Sequence, residues 1–69
     1  MKMRCLGMRN AGETLSVTVK DGEEALLLNG ANAACYQQRR PFVSVVRLGM
    51  PGTYELRVPT DGCFFLAAH

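Results

Sequence analysis

Of the side chains that most often carry acid–base or nucleophilic chemistry, this sequence has one histidine, three cysteines and six carboxylates. His69 is the only histidine, and it ends the chain. A general base needs a fixed position and a partner that orients it, whereas terminal residues tend to fray. His69 is therefore expected to be a surface tail. Cys5, Cys35 and Cys63 form an odd, widely spaced set. A disulfide framework favours an even count, and a zinc site favours a CxxC pair. The three thiols are read as small buried apolar residues in reducing surroundings. Cys5 and Cys63 become neighbours if their strands pair, which leaves Cys35 free. A nucleophilic Cys35 or Cys63 would have only His69 as a base, a poor foundation for catalysis. Of the acids, Glu13, Asp21, Glu23, Glu24, Glu55 and Asp61, most sit in or beside turns, and Glu55 lies on a wet strand face. A carboxylate pair for acid–base work needs burial to separate its pKa values, and nothing in the pattern supplies it. No glycine run matches a phosphate-binding loop, since Gly49-Met50-Pro51-Gly52 lacks the lysine and the following helix. No catalytic residue, metal site or cofactor is expected, and the chain reads as a non-enzyme.

The basic residues are better placed. From Ala25 to Tyr54 there is no acid, yet Arg39, Arg40 and Arg47 lie there. Tyr36 comes one helical turn before Arg39-Arg40-Pro41-Phe42, so guanidinium groups and aromatic rings interleave. Such a mixture suits stacking on a base or gripping a phosphate, and Tyr36, Arg39, Arg40 and Arg47 make a candidate single-stranded nucleic-acid patch. A larger basic excess would be usual, because affinity comes from releasing counterions at many phosphates. Apolar residues suggest a different partner. Phe64 and Phe65 are neighbours in an expected strand, so whichever faces the core, the other points away. An exposed aromatic there, with Met3, Met8 and Met50, would mark a protein contact or self-interface. The alternative is a crossover segment that covers that face.

The elements that must position these groups are mostly strands. In Thr14-Leu15-Ser16-Val17-Thr18-Val19 apolar and polar residues alternate, as they do in Thr53-Tyr54-Glu55-Leu56-Arg57-Val58. Period two puts one set on each face, the pattern of a half-buried antiparallel sheet. Ala25 to Leu28, Phe42 to Leu48 and Cys63 to Ala68 read as further strands, and Met3 to Met8 as a first strand interrupted by Gly7. Asp21-Gly22 supplies the positive φ of a tight hairpin, Pro51-Gly52 fits a type II turn, and Pro59 to Gly62 makes another turn. Asn32 to Arg39 has helix-forming composition, a candidate Asn cap and a stop at Pro41, which predicts a short helical crossover. The predicted core is Leu15, Val17, Val19, Leu26, Leu28, Val46, Tyr54, Leu56, Val58 and one of the two phenylalanines.

With 69 residues, a net charge of +2 and 48% hydrophobic residues, the chain makes one domain over residues 1–69. A domain this small buries roughly 60% of the surface its unfolded chain exposes. The charge balance argues against a basic nucleic-acid arm or an acidic disordered tail. The charged start, Met1 to Arg9, lacks the apolar run of a signal peptide, and no stretch approaches membrane-spanning length. A cytoplasmic location without membrane contact is expected. The fold class follows: all-β, a small antiparallel β-sandwich or barrel of about six strands with one short helical crossover.

The order of these elements resembles a family of small bacterial β-sandwich domains of unknown function, some of them fused to TIR domains. Ala11-Gly12-Glu13 followed by Leu15, Val17 and Val19 is similar to the family's opening turn and strand. Ala25 to Asn29, then Asn32 and Tyr36, resembles its second strand and crossover, and Arg39-Arg40 stands at its basic turn. Tyr54 to Pro59, then Gly62 and Phe64, looks like its closing segment. The stretch Phe42-Val43-Ser44-Val45-Val46 departs from the family, which is aromatic and glycine-rich there. The resemblance implies a compact accessory module and assigns no active-site residues. Together these readings favour a non-enzymatic interaction module that self-associates, through a homo-oligomer or a protein partner, with nucleic-acid binding as the alternative.

Overall fold

The computed structural model of the chain describes residues 2–69, so Met1 of the expected domain lies outside the described residues. Six strands and one helix follow in the order β1 (Lys2–Arg9), β2 (Thr14–Val19), β3 (Ala25–Asn29), α1 (Gly30–Gln37), β4 (Val46–Leu48), β5 (Gly52–Arg57) and β6 (Gly62–Ala68). They form a four-stranded sheet in the order β1-β6-β3-β4 and a two-stranded sheet β2-β5. Every pairing is antiparallel. The all-β fold with two antiparallel sheets and one short helix is the class the alternation predicts.

The sheets face each other across a core set by side-chain parity. Leu15, Val17 and Val19 of β2 point inward while Thr14, Ser16 and Thr18 stay exposed. Leu15 meets Leu27, Val58 and Phe64, with Leu6, Val46 and Leu56 at the margin. Val17 and Val19 meet Ala25, with Leu48, Tyr54, Leu56 and Leu66 around them. On the far side of the four-stranded sheet lies a second apolar layer. Leu26, Leu28 and Ala67 pack there under Ala33 of the helix, flanked by Met3, Tyr36, Phe42 and Phe65. Central strand β3 is thus covered on both faces, and Ala25, Leu26, Leu27 and Leu28 are all buried. Leu27 was absent from the predicted core because a one-sided strand would turn it to solvent.

The predicted hairpin at Asp21-Gly22 does not form. Gly22 does take the positive φ of 82°, but β2 pairs with β5, and β3 with β4 and β6. The Asp21-Gly22 turn therefore carries the chain from one sheet to the other. Gly49 to Pro51, between β4 and β5, and Val58 to Asp61, between β5 and β6, do the same. Gly52 has φ 146°, outside the usual second corner of a type II turn. The Ala11 amide donates to Asp61 Oδ1 (2.6 Å), tying the β1–β2 connection to the β5–β6 crossing, and the Asn10 amide donates to Glu13 Oε2 (3.0 Å) within the β1–β2 connection.

Helix α1 starts earlier than predicted. Asn29, not Asn32, is the N-cap, with Oδ1 accepting from the Asn32 amide at 2.8 Å. Such a cap contributes about 1 kcal/mol. Asn32 ties the helix to the crossover instead, its Oδ1 accepting from the Val43 amide at 3.0 Å. The predicted strand from Phe42 shrinks to Val46–Leu48 because Phe42 turns onto the helix layer. Its ring meets Tyr36 edge-on, centroids 5.0 Å apart at 87°, a favoured aromatic geometry.

Candidate binding strip on the crossover

The end of α1 is built around a strained residue. Helices commonly close with glycine in the left-handed region just past the C-cap. Here Gln38 is the C-cap and the next residue, Arg39, has φ 59°, the one non-glycine residue with positive φ among those described. The Arg40 amide donates to the Cys35 carbonyl (2.9 Å) and the Arg39 amide to the Tyr36 carbonyl (3.2 Å), the paired bonds of a Schellman motif. A Cβ in that conformation costs on the order of 1–2 kcal/mol.

From Arg40 the chain runs back along the helix and then into β4. Pro41, Val43, Val45, Arg47 and Gly49 are exposed, while Phe42, Ser44, Val46 and Leu48 between them turn partly inward. Val43 is 74% exposed and Val45 37%. The Val45 amide donates to the Leu27 carbonyl at 2.8 Å, extending the β3–β4 ladder by one rung. On its other side β4 has no partner strand among the described residues. The result is one extended strip with arginines at both ends and two valines between them, along an open sheet edge.

The six candidate contact residues therefore separate. Tyr36, Arg39 and Arg40 share the C-terminal end of α1. Tyr36 is half-buried against Phe42, while Arg39 and Arg40 are exposed. Arg47 lies at the other end of the strip, its Nε 4.0 Å from Glu24 Oε1. Phe64 is 1% exposed and belongs to the core between the sheets. Phe65 is half-buried in the helix-covered layer. Neither ring stands exposed on an uncovered face: the helical crossover covers it, and Phe64 presents no surface to a partner.

Two expectations about titratable groups change. His69 is not frayed: its amide donates to the Glu24 carbonyl (3.0 Å), and its carbonyl accepts from the Glu24 amide (2.7 Å). Its Nε2 also lies 3.1 Å from Glu24 Oε1. Register brings Glu24, His69 and Arg47 together at one end of the four-stranded sheet, a grouping that their spacing in sequence does not reveal. The cysteines are free thiols and less hidden than expected, with Cys5 exposed and Cys35 and Cys63 half-buried. Partial burial pushes the Cys63 thiol above its ordinary value of 9.0, and the neighbouring Cys5 thiol pushes it further.

Among the described residues there is no pocket, no group of three or more metal-ligating side chains, and no helix long and apolar enough to cross a membrane. No protein-family model, curated protein or solved structure matches the chain.

Proposed function

We propose that this chain is a small non-enzymatic binding module that self-associates through the strip from Arg39 to Arg47. The observation that carries the reading is the left-handed backbone of Arg39. Strained residues cluster where a side chain is needed for function. Glycine would keep the same helix-end hydrogen bonds without the Cβ penalty. The Arg39 side chain makes no hydrogen bond or ion pair within the chain among the described residues, so its internal contacts do not account for the strain. Exposed Val43 and Val45 provide an apolar centre, and arginines at the rim match the composition of protein interfaces. The proposal includes the compact accessory module that the sequence resemblance implies, in a cytoplasmic location.

Light scattering at low and high salt tests it. A salt-resistant dimer is expected, converted to monomer by Val43→Asp with the fold intact; a wild-type chain that stays monomeric at high concentration overturns self-association. Arg39→Gly gives a sharper test. It should raise Tm by about 4–8 °C, from roughly 1 kcal/mol of strain relieved, while weakening assembly.

A second reading, single-stranded nucleic-acid binding by Tyr36, Arg39, Arg40 and Arg47, is favoured by the exposed arginine pair at the helix end. It predicts salt-sensitive oligonucleotide binding that survives Val43→Asp and is lost in Arg39→Ala with Arg40→Ala. Binding that is absent, or indifferent to salt, removes it.

A further inference from the structure

Strands β1 and β6 bring together two thiols that lie 58 positions apart in sequence (63 − 5). In the β1–β6 ladder Cys5 stands opposite Phe65, and Phe65 is two residues from Cys63 on the same face of β6. Cys5 and Cys63 are therefore diagonal neighbours on one face of the sheet, a spacing that short side chains close only where the strand bends. Between them the ladder is irregular. Cys5 pairs with Phe65 and Gly7 with Phe64, so Leu6 is an extra residue in a bulge. Gly7 has φ 79°, the conformation that a glycine bulge uses, and bulges bend and twist a strand locally. Cys5 is exposed to solvent and Cys63 is half-buried beside it.

We propose that Cys5 and Cys63 form a reversible intrachain disulfide across the bulge, a redox modification site that staples edge strand β1 to β6. Cys5 is the attacking thiol because it is the exposed one, and access controls exchange. Cys63 is the resolving thiol. The Cys5 thiol is near enough to push the Cys63 thiol above its ordinary value. Half-burial makes Cys63 the less accessible of the two thiols. The oxidant is a small-molecule disulfide. The Cys5 sulfur, after losing its proton to solvent, attacks one sulfur of the oxidant, a new S–S bond forms, and one thiolate leaves. The Cys63 sulfur then loses its proton and attacks the Cys5 sulfur, and the second thiolate leaves. One protein disulfide and two small thiols result: the protein loses two electrons and two protons, and the small disulfide gains both. Cys35, on α1, is not opposite either residue in the ladder and takes no part.

Oxidised glutathione on the folded full-length chain tests the assignment, with Cys35→Ser as background to remove the third thiol. The expected product is a chain lighter by two hydrogen atoms with no covalent link to a second copy, yielding on digestion one peptide pair joined at Cys5 and Cys63. In Cys63→Ser the glutathione adduct at Cys5 should persist, because no thiol is left to displace it. Oxidised chain should unfold at a higher temperature than reduced chain, by on the order of 20 °C for a loop this long, and dithiothreitol should reverse the shift. A persistent glutathione adduct on the chain that retains both thiols overturns the proposal, as does a disulfide-linked dimer. A lower Tm on oxidation overturns it as well, since bridging would then require breaking the native ladder.

Discussion

The four-stranded sheet has two apolar faces that are closed in different ways. On one, β2 and β5 lay a second sheet over Leu27 and Phe64, and Leu15, Val17, Val19 and Val58 complete the layer from the other side. Large branched and aromatic side chains interdigitate there, and Phe64, Leu27 and Val58 are fully buried. On the other face an eight-residue helix and a stretch of extended chain cover Leu26, Leu28 and Ala67. Ala33 is the only buried residue of that helix, and the aromatic rings of Tyr36, Phe42 and Phe65 are half-buried at its margin. Leu26, Leu28 and Ala67 are as fully buried as Phe64 and Leu27, so the two faces differ in their cover and not in the burial of the sheet itself. The helix-covered face is thinner, and its cover supplies the strained arginine and the exposed valines.

The neighbouring phenylalanines of β6 measure that difference. Phe64→Ala should cost about 3–5 kcal/mol, enough to unfold much of so small a domain, because it opens a cavity between two sheets. Phe65→Ala should cost about 1–2 kcal/mol, since its ring is already part-solvated. Urea titration of both variants reads the contrast directly, and equal losses would mean the two layers act as one core. Asn29→Ala should cost about 1 kcal/mol and loosen α1 first, seen as faster amide exchange in Gly30 to Cys35 than in β2 or β5. The smallest effect is on pH. The Cys63 thiol is raised above its ordinary 9.0 in the folded chain, so the fold favours its protonated form. That contribution is fully present below 9.0 and is lost as pH rises through the higher folded value. Alkaline Tm curves of the parent chain and Cys63→Ser should converge above that value.

Alternation made the strands of the thicker layer legible. The run Thr14 to Val19 matches β2 in full, and Tyr54, Leu56 and Val58 turn inward as their spacing dictates. Pairing was not legible, because Asp21-Gly22 has the same turn chemistry whether the chain doubles back within a sheet or crosses to the next. Leu27 escaped because alternation assumes one wet face, whereas β3 has none. The candidate strip was half visible. Arg39 and Arg40 stand out by type, but the left-handed backbone that singles out Arg39 depends on where α1 ends. The grouping of Glu24, His69 and Arg47 requires the registers of two ladders, β3 with β6 and β3 with β4, which no local pattern encodes.

The crossings between sheets also govern how the chain reaches this structure. Strand β1 pairs only with β6, β2 only with β5, and β3 only with β4 and β6. None of the first three strands has a partner among the first three. During synthesis from the N-terminus, the first half of the chain therefore has no ladder to close, and Leu26, Leu27 and Leu28 must wait, unshielded, for β4 and β6. Long-range pairing of this kind places folding in the millisecond-to-second regime of all-β domains rather than the microseconds of helical ones. The ladder between Lys2 and Ala68 makes closure of the four-stranded sheet wait for its last strand, and β1, which pairs only with β6, is the strand left open longest.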